Sequence, residues 1–129
     1  MLIFGHQLIE VEPWSKVKSI DEIKKTISNS TIVLDDIEKY ANIAKHCNEN
    51  SVNFACSVNS IKQAILANAL NASYILCSDK TLASEVQKVA NEYLWGSKII
   101  FIIDDESDIE QIAKLGIDGA IIGSYIESL

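Results

Sequence analysis

Apolar residues in this chain fall into short unbroken runs, and longer segments with a helical stripe separate them. The runs are Thr31 to Leu34, Val52 to Cys56, Ser73 to Cys77, Ile99 to Ile103 and Gly119 to Gly123. Runs of four or five apolar residues bounded by polar turn residues suit strands buried on both faces of a parallel sheet. Between them, Ile37, Tyr40, Ala41, Ile43 and Ala44 share one helical face. So do Ile61, Ala64, Ile65 and Ala69, and then Leu82, Val86, Val89, Ala90 and Tyr93. Cap residues punctuate the pattern: Asp35 and Asp36, Ser57 and Asn59, and Ser78 and Asp79. Ser107-x-x-Glu110 predicts a capping box that opens a helix closed by Gly116. Ser124 to Leu129 leaves room for little more than one further turn.

The first thirty residues are less regular. Leu2 to Gly5 reads as a short strand. Gln7 to Glu12 alternates polar and apolar, as a half-exposed or edge segment would, and Pro13 ends it. Ser19-x-x-Glu22 is a capping box, and Ile20, Ile23 and Ile27 predict a helix to about residue 28. Alternating strands and helices imply right-handed crossovers and a parallel sheet. The expected fold is therefore α/β, a single three-layer domain over residues 1–129 with a mostly parallel sheet of five or six strands. A flavodoxin-like open sheet with helices on both faces is one form. The alternative is a half-barrel that completes itself with a second copy, since five or six strands are too few for normal closure.

Composition narrows the partners. With 129 residues, 48% hydrophobic and 22% charged, the chain can build one real core. The net charge of −7 disfavours nucleic acid, whose phosphates need a basic face. No apolar run approaches a membrane span, and the first residues lack the basic region of a signal peptide. Cys47, Cys56 and Cys77, odd in number and without paired spacing, read as buried free thiols of a reducing, cytoplasmic compartment. His6 and His46 have no second ligand at metal spacing.

Functional groups of a parallel sheet collect beyond the carboxyl ends of its strands. Here those ends carry Asp35 and Asp36, Ser57, Ser78 with Asp79 and Lys80, Asp104 and Asp105, and Gly123 with Ser124. Two readings compete. Asp and Ser are favoured helix caps and serve locally. Alternatively Asp35 and Asp104 could hold Mg²⁺, with Lys80 and the Gly123-Ser124 amides on a phosphate; otherwise no cofactor is implied. The segment Gly116 to Ser128, GIDGAIIGSYIES, resembles the end of phosphate-binding (β/α)8 barrels, where a strand ending in Gly-Ser leads into a short helix that cradles phosphate. That resemblance implies a phosphate role for Gly123 and Ser124 alone. The chain has no preceding glycine-rich phosphate loop, no Schiff-base lysine within a strand, and about half the barrel's length. Asp35-Asp36 is similar to the paired acids of phosphoacceptor receiver domains, but no lysine ends the fifth strong strand. No nucleophile elbow, P-loop or dinucleotide fingerprint is present.

The sequence therefore supports two expectations. One is a non-catalytic domain working through protein association, as a homo-oligomer. The other is an enzyme or sensor for a small phosphorylated ligand at the carboxyl-end rim, using Gly123, Ser124, Asp35, Asp104 and Lys80.

Overall fold

The computed structural model describes residues 1–129. Seven strands form one all-parallel sheet: β1 (Leu2–Phe4), β2 (Trp14–Lys16), β3 (Thr31–Leu34), β4 (Phe54–Ser57), β5 (Tyr74–Cys77), β6 (Lys98–Ile103) and β7 (Gly119–Ile122). Their order is β1-β7-β6-β5-β4-β3-β2. From β2 to β7 each strand lies beside its successor, and β1 is added beyond β7. The helices are α1 (Ile20–Ile23), α2 (Ala41–Glu49), α3 (Ile61–Ala69), α4 (Lys80–Glu92), α5 (Ile109–Lys114) and α6 (Gly123–Glu127). None is long and apolar enough to cross a membrane.

Sequential order decides between the two expected architectures. Right-handed crossovers that always step the same way place the connecting helices on one face. The sheet curls away from them into a half-barrel. It has no reversal of strand order, and hence no switch point of the doubly wound kind. The extra strand is β2. It follows Pro13, whose carbonyl accepts a bond from Thr31 N–H at 2.9 Å. A proline just outside an edge strand costs the ladder nothing, because its missing N–H is not needed there.

The two faces of the sheet bury separate cores. The convex side packs Ile32, Leu34, Phe54, Cys56, Ile75, Cys77, Ile99 and Phe101 against the helical Ile43, Ala44, Cys47, Ala64, Ala67, Ala83, Val86 and Ile112. The concave side holds one buried residue from every strand: Phe4, Trp14, Val33, Ala55, Leu76, Ile100 and Ile121. The aromatic members belong to the two edge strands. Phe4 and Trp14 meet at 4.9 Å between ring centroids, and both pack on Tyr74. The curl thus brings the ends of the strand order back toward each other, and the chain fills its own concavity.

Tyr125 completes this closure. Its Cβ lies so close to Gly5 that a Cβ built there would sit 2.6 Å away, and Gly5 adopts a φ of +83°. Its hydroxyl accepts the Trp14 backbone N–H at 3.2 Å. One side chain from α6 therefore touches both edges of the sheet. The segment between β1 and β2 must return from the carboxyl end of one strand to the amino end of the other. It does so as irregular chain across the gap.

The four helices α2 to α5 end alike. Ser51, Asn71, Leu94 and Gly116 take φ values of 55°, 64°, 53° and 74°. The residue after each donates back to a buried carbonyl: Val52 to Cys47, Ala72 to Ala67, Trp95 to Ala90 and Ile117 to Ile112, at 2.9–3.3 Å. This left-handed cap turns the chain toward the next strand. Leu94 adopts the strained conformation while 87% exposed.

Several local expectations change. The first helix is a single turn, and Ile27 is 70% exposed. Thr26 turns its hydroxyl onto the Ile23 carbonyl at 2.7 Å, which competes with helix continuation. The Ser19–Glu22 box is present: Ser19 accepts from Glu22 N–H, and the Glu22 carboxylate accepts from Lys18 N–H. Ser107-x-x-Glu110 is not a capping box. Asp105 starts a 3-10 turn over Glu106–Asp108, and α5 follows without a side-chain cap. For α3 the cap is Ser60 rather than Ser57 or Asn59, with Gln63 reaching back to Asn59 N–H at 2.7 Å.

Gly119 is the tightest point of the sheet. A Cβ there would lie 2.5 Å from the Leu2 carbonyl oxygen and 2.9 Å from Ile100 Cδ1. Gly119→Ala is expected to push β1 off β7, costing roughly 2–3 kcal/mol, an overpacking figure. Thermal unfolding checks this, with a midpoint lowered by about 10 °C.

Candidate functional site

The register of the sheet places the polar groups of the carboxyl end. Lys16 pairs with the concave-face Val33, and Ser57 pairs with the concave-face Leu76. Alternation along a strand then carries Asp35, Ser78, Asp104 and Gly123 to the same side, each two positions beyond Val33, Leu76, Ile102 and Ile121. The mouth of the curl is thus rimmed by one lysine, two aspartates, two serines and the start of α6. Lys16, Asp35, Ser78 and Asp104 are exposed. Lys16 belongs to none of the three ion pairs of the chain.

Asp35 and Asp104 accept no hydrogen bond, which sets them apart from their neighbours. Asp36 accepts from Glu38 and Lys39 N–H at 2.9 and 3.1 Å. Asp79 accepts from Leu82 N–H at 2.8 Å, and Asp105 from Ser107 N–H. Those three are helix or turn caps. Gly123 has space around it, since a built Cβ would meet only the Ile103 carbonyl oxygen at 3.4 Å and Ile102. Ser124 sits in the first turn of the five-residue α6.

Lys80 lies elsewhere. Its ammonium donates to Gln111 Oε1 at 2.7 Å, bridging α4 to α5 in the outer layer. The groove it lines, of about 440 Å³, is shared with Thr81, Ser84, Lys88 and Gln111. Two further surface hollows lie near the carboxyl end. One of about 510 Å³ is bordered by Asp105, Glu106, Ser107 and Glu110. The other, of about 450 Å³, is bordered by His6, Ile9, Glu10 and Tyr125. Neither contains Asp35, Asp104, Gly123 or Ser124. No three His, Cys, Asp or Glu side chains converge as metal ligands.

His6 follows β1 and is the only histidine drawn into this end. Its Nδ1 accepts the Leu8 backbone N–H at 3.1 Å, so its Nε2 carries the proton toward Glu106 Oε2 at 2.5 Å. Both ring nitrogens are engaged, and the imidazole acts as a strut between the returning segment and the loop after β6. The pairing joins residues a hundred positions apart and leaves no local signal in sequence. Lys16 escapes sequence reading for a related reason, because its strand is only three residues long.

The cysteines are core residues. Burial pushes Cys47 up from 9.0 to about 11. Cys56 is pushed to about 12 by burial and then by Cys77, and Cys77 to about 12 by burial and then by Asp79. A thiol held protonated is a poor nucleophile.

Compared with known proteins, the chain matches no family model and no curated sequence.

The folded state retains these thiol protons above the pH at which the unfolded chain loses them. Stability is therefore fully present below about pH 9 and declines as pH rises toward 11–12. In the native protein at pH 8 a thiol-specific reagent is expected to label none of the three cysteines at an appreciable rate. In denaturant all three should react. Fast native labelling of Cys56 or Cys77 would show that the strands open far more readily than their burial implies.

Proposed function

We propose that this domain is a non-catalytic module that acts through protein association, and that its partner is a second copy of the chain. The supporting observation is the surface along the gap between β1 and β2. Met1, Leu2, Leu8, Ile9 and Val11 are all exposed, Leu8 at 79%. Five of the chain's twelve exposed large hydrophobic residues therefore fall within its first eleven positions. Scattered apolar residues are ordinary on a surface, but a concentration on one strip marks a contact site. The flanking edges β1 and β2 are each three residues long and carry a strand on one side only. The interior of the curl is filled by Phe4, Trp14 and Tyr74. A second copy would therefore cover the seam from outside rather than share a common barrel interior.

Sedimentation equilibrium tests the assembly. A dimer is expected for the native sequence, and a folded monomer for Leu8→Glu/Ile9→Glu. A native chain that stays monomeric at its highest soluble concentration would refute the reading.

A second reading rests on Lys16. A small phosphorylated ligand at the carboxyl-end mouth would meet an unpaired ammonium there, with the Gly123 and Ser124 amides on the same rim; Asp35 and Asp104, at the ends of strands three apart, could each offer a carboxylate to Mg²⁺. Lys16 takes the part that sequence spacing gives to Lys80. A ligand present at about a hundred times its dissociation constant adds roughly 2.7 kcal/mol of stability. A screen of phosphorylated metabolites, with and without Mg²⁺, is expected under this reading to raise the unfolding midpoint. Lys16→Ala should abolish the rise, whereas Lys80→Ala should leave it intact.

A further inference from the structure

The concave face also has a mouth at its amino end. Leu2, Trp14, Thr31 and Tyr74 stand at inward-facing positions at or near the starts of their strands, and Asn53 just precedes β4. They surround a cavity of about 250 Å³, with Val11 and Glu12 of the returning segment along its open side. This cavity shares Leu2 and Val11 with the exposed strip and is distinct from the carboxyl-end rim. Active sites of parallel α/β sheets ordinarily lie at the opposite end.

Three properties restrict what it can hold. First, its walls are mainly apolar and aromatic. Phe4 and Trp14 form the floor, Trp14 stacks on Tyr74 at 5.4 Å, and Tyr74 is only partly buried. Second, Glu12 is the one charged residue in the lining, and no lysine, arginine or histidine forms an ion pair with it. Third, the volume lies below the range usual for drug-sized ligands. An anion would meet the Glu12 carboxylate, and Lys98, which pairs with Tyr74 across the ladder, lies outside the lining. A large ligand would not enter. A neutral apolar molecule would gain nothing from the carboxylate. A compact cation with an apolar surface satisfies all three, since an aromatic face and a carboxylate both attract it.

We propose that the amino-end mouth, formed by Tyr74, Trp14, Leu2, Val11 and Glu12, binds a small organic ammonium ion. Tyr74 offers the partly open aromatic ring, and Glu12 supplies the counter-charge at the entrance. Asn53 and Thr31 provide hydrogen-bonding groups for a polar substituent.

Choline and its neutral carbon isostere, 3,3-dimethylbutan-1-ol, provide matched probes that differ in charge at nearly constant shape. Each is titrated into the native chain at constant ionic strength, with the Trp14 indole and Asn53 amide signals followed by NMR. The expected result is saturable movement of both signals with choline, at an affinity about tenfold or more above that of the alcohol, as cation–π attraction and one carboxylate together provide. Glu12→Gln should weaken choline binding and leave the alcohol unaffected. Glu12 is exposed, so this variant is expected to fold normally. Tyr74→Leu should lower the preference for the cation. Equal affinity for the two probes, no saturable movement, or full choline affinity in Glu12→Gln would each overturn the proposal.

Discussion

Everything in this fold depends on how few atoms fill the hollow of the sheet. Seven parallel strands, six of them in sequential order, leave one face covered by helices and the other facing itself. A layer with one buried side chain per strand must then exclude water from that inner face. The two edge strands supply the largest of these side chains, Trp14 and Phe4, and β4 the smallest, Ala55. The edge rings reach across the hollow and meet Tyr74 of the central strand β5. Much of the inner volume is therefore supplied from the edges. An aromatic pair adds ~1 kcal/mol beyond the area it buries. Here the larger effect is geometric, because the rings set how far apart the edges can stand.

The strand-and-helix rhythm of the chain was readable because it arises from local causes. Five buried strands announce themselves as uninterrupted apolar runs, and Gly116 marks a helix end that the structure retains. The single-turn α1 and the three-residue β2 were not readable in this way. Short elements depend on neighbours for their hydrogen bonds, and three residues carry too little pattern to stand out. Whether the helices lie on one face or two is likewise a property of strand order, which periodicity does not encode. At the rim, residue type alone could not separate caps from free groups. Asp36, Asp79 and Asp105 are consumed by backbone N–H groups, whereas Asp35 and Asp104 are not. The distinction comes from which side of the strand each residue leaves, and that requires the register.

The two ends of the curled sheet differ in chemistry. The carboxyl end is polar and open, with an unpaired lysine among aspartates and serines. The amino end is narrow and aromatic, with one carboxylate. The returning segment between β1 and β2 runs past both. It places His6 against Glu106 at one end and Glu12 beside the aromatic pocket at the other. Its apolar residues, left over from that path, form the exposed strip. One short irregular stretch therefore contributes both to the exposed strip and to the amino-end cavity.

The pairing of β1 with β7 has a consequence for the birth of the protein. Leu2 is synthesised more than a hundred residues before its partner, Gly119. Strands β2 to β6 can assemble in the order of their synthesis, each onto its predecessor. The opening strand has no place to dock until β7 exists. During elongation its apolar residues, and the inner face that Phe4 will cover, stay open to other chains. Contacts this distant in sequence form late and slow folding. The last ladder to close is the one that contains the earliest of the seven strands.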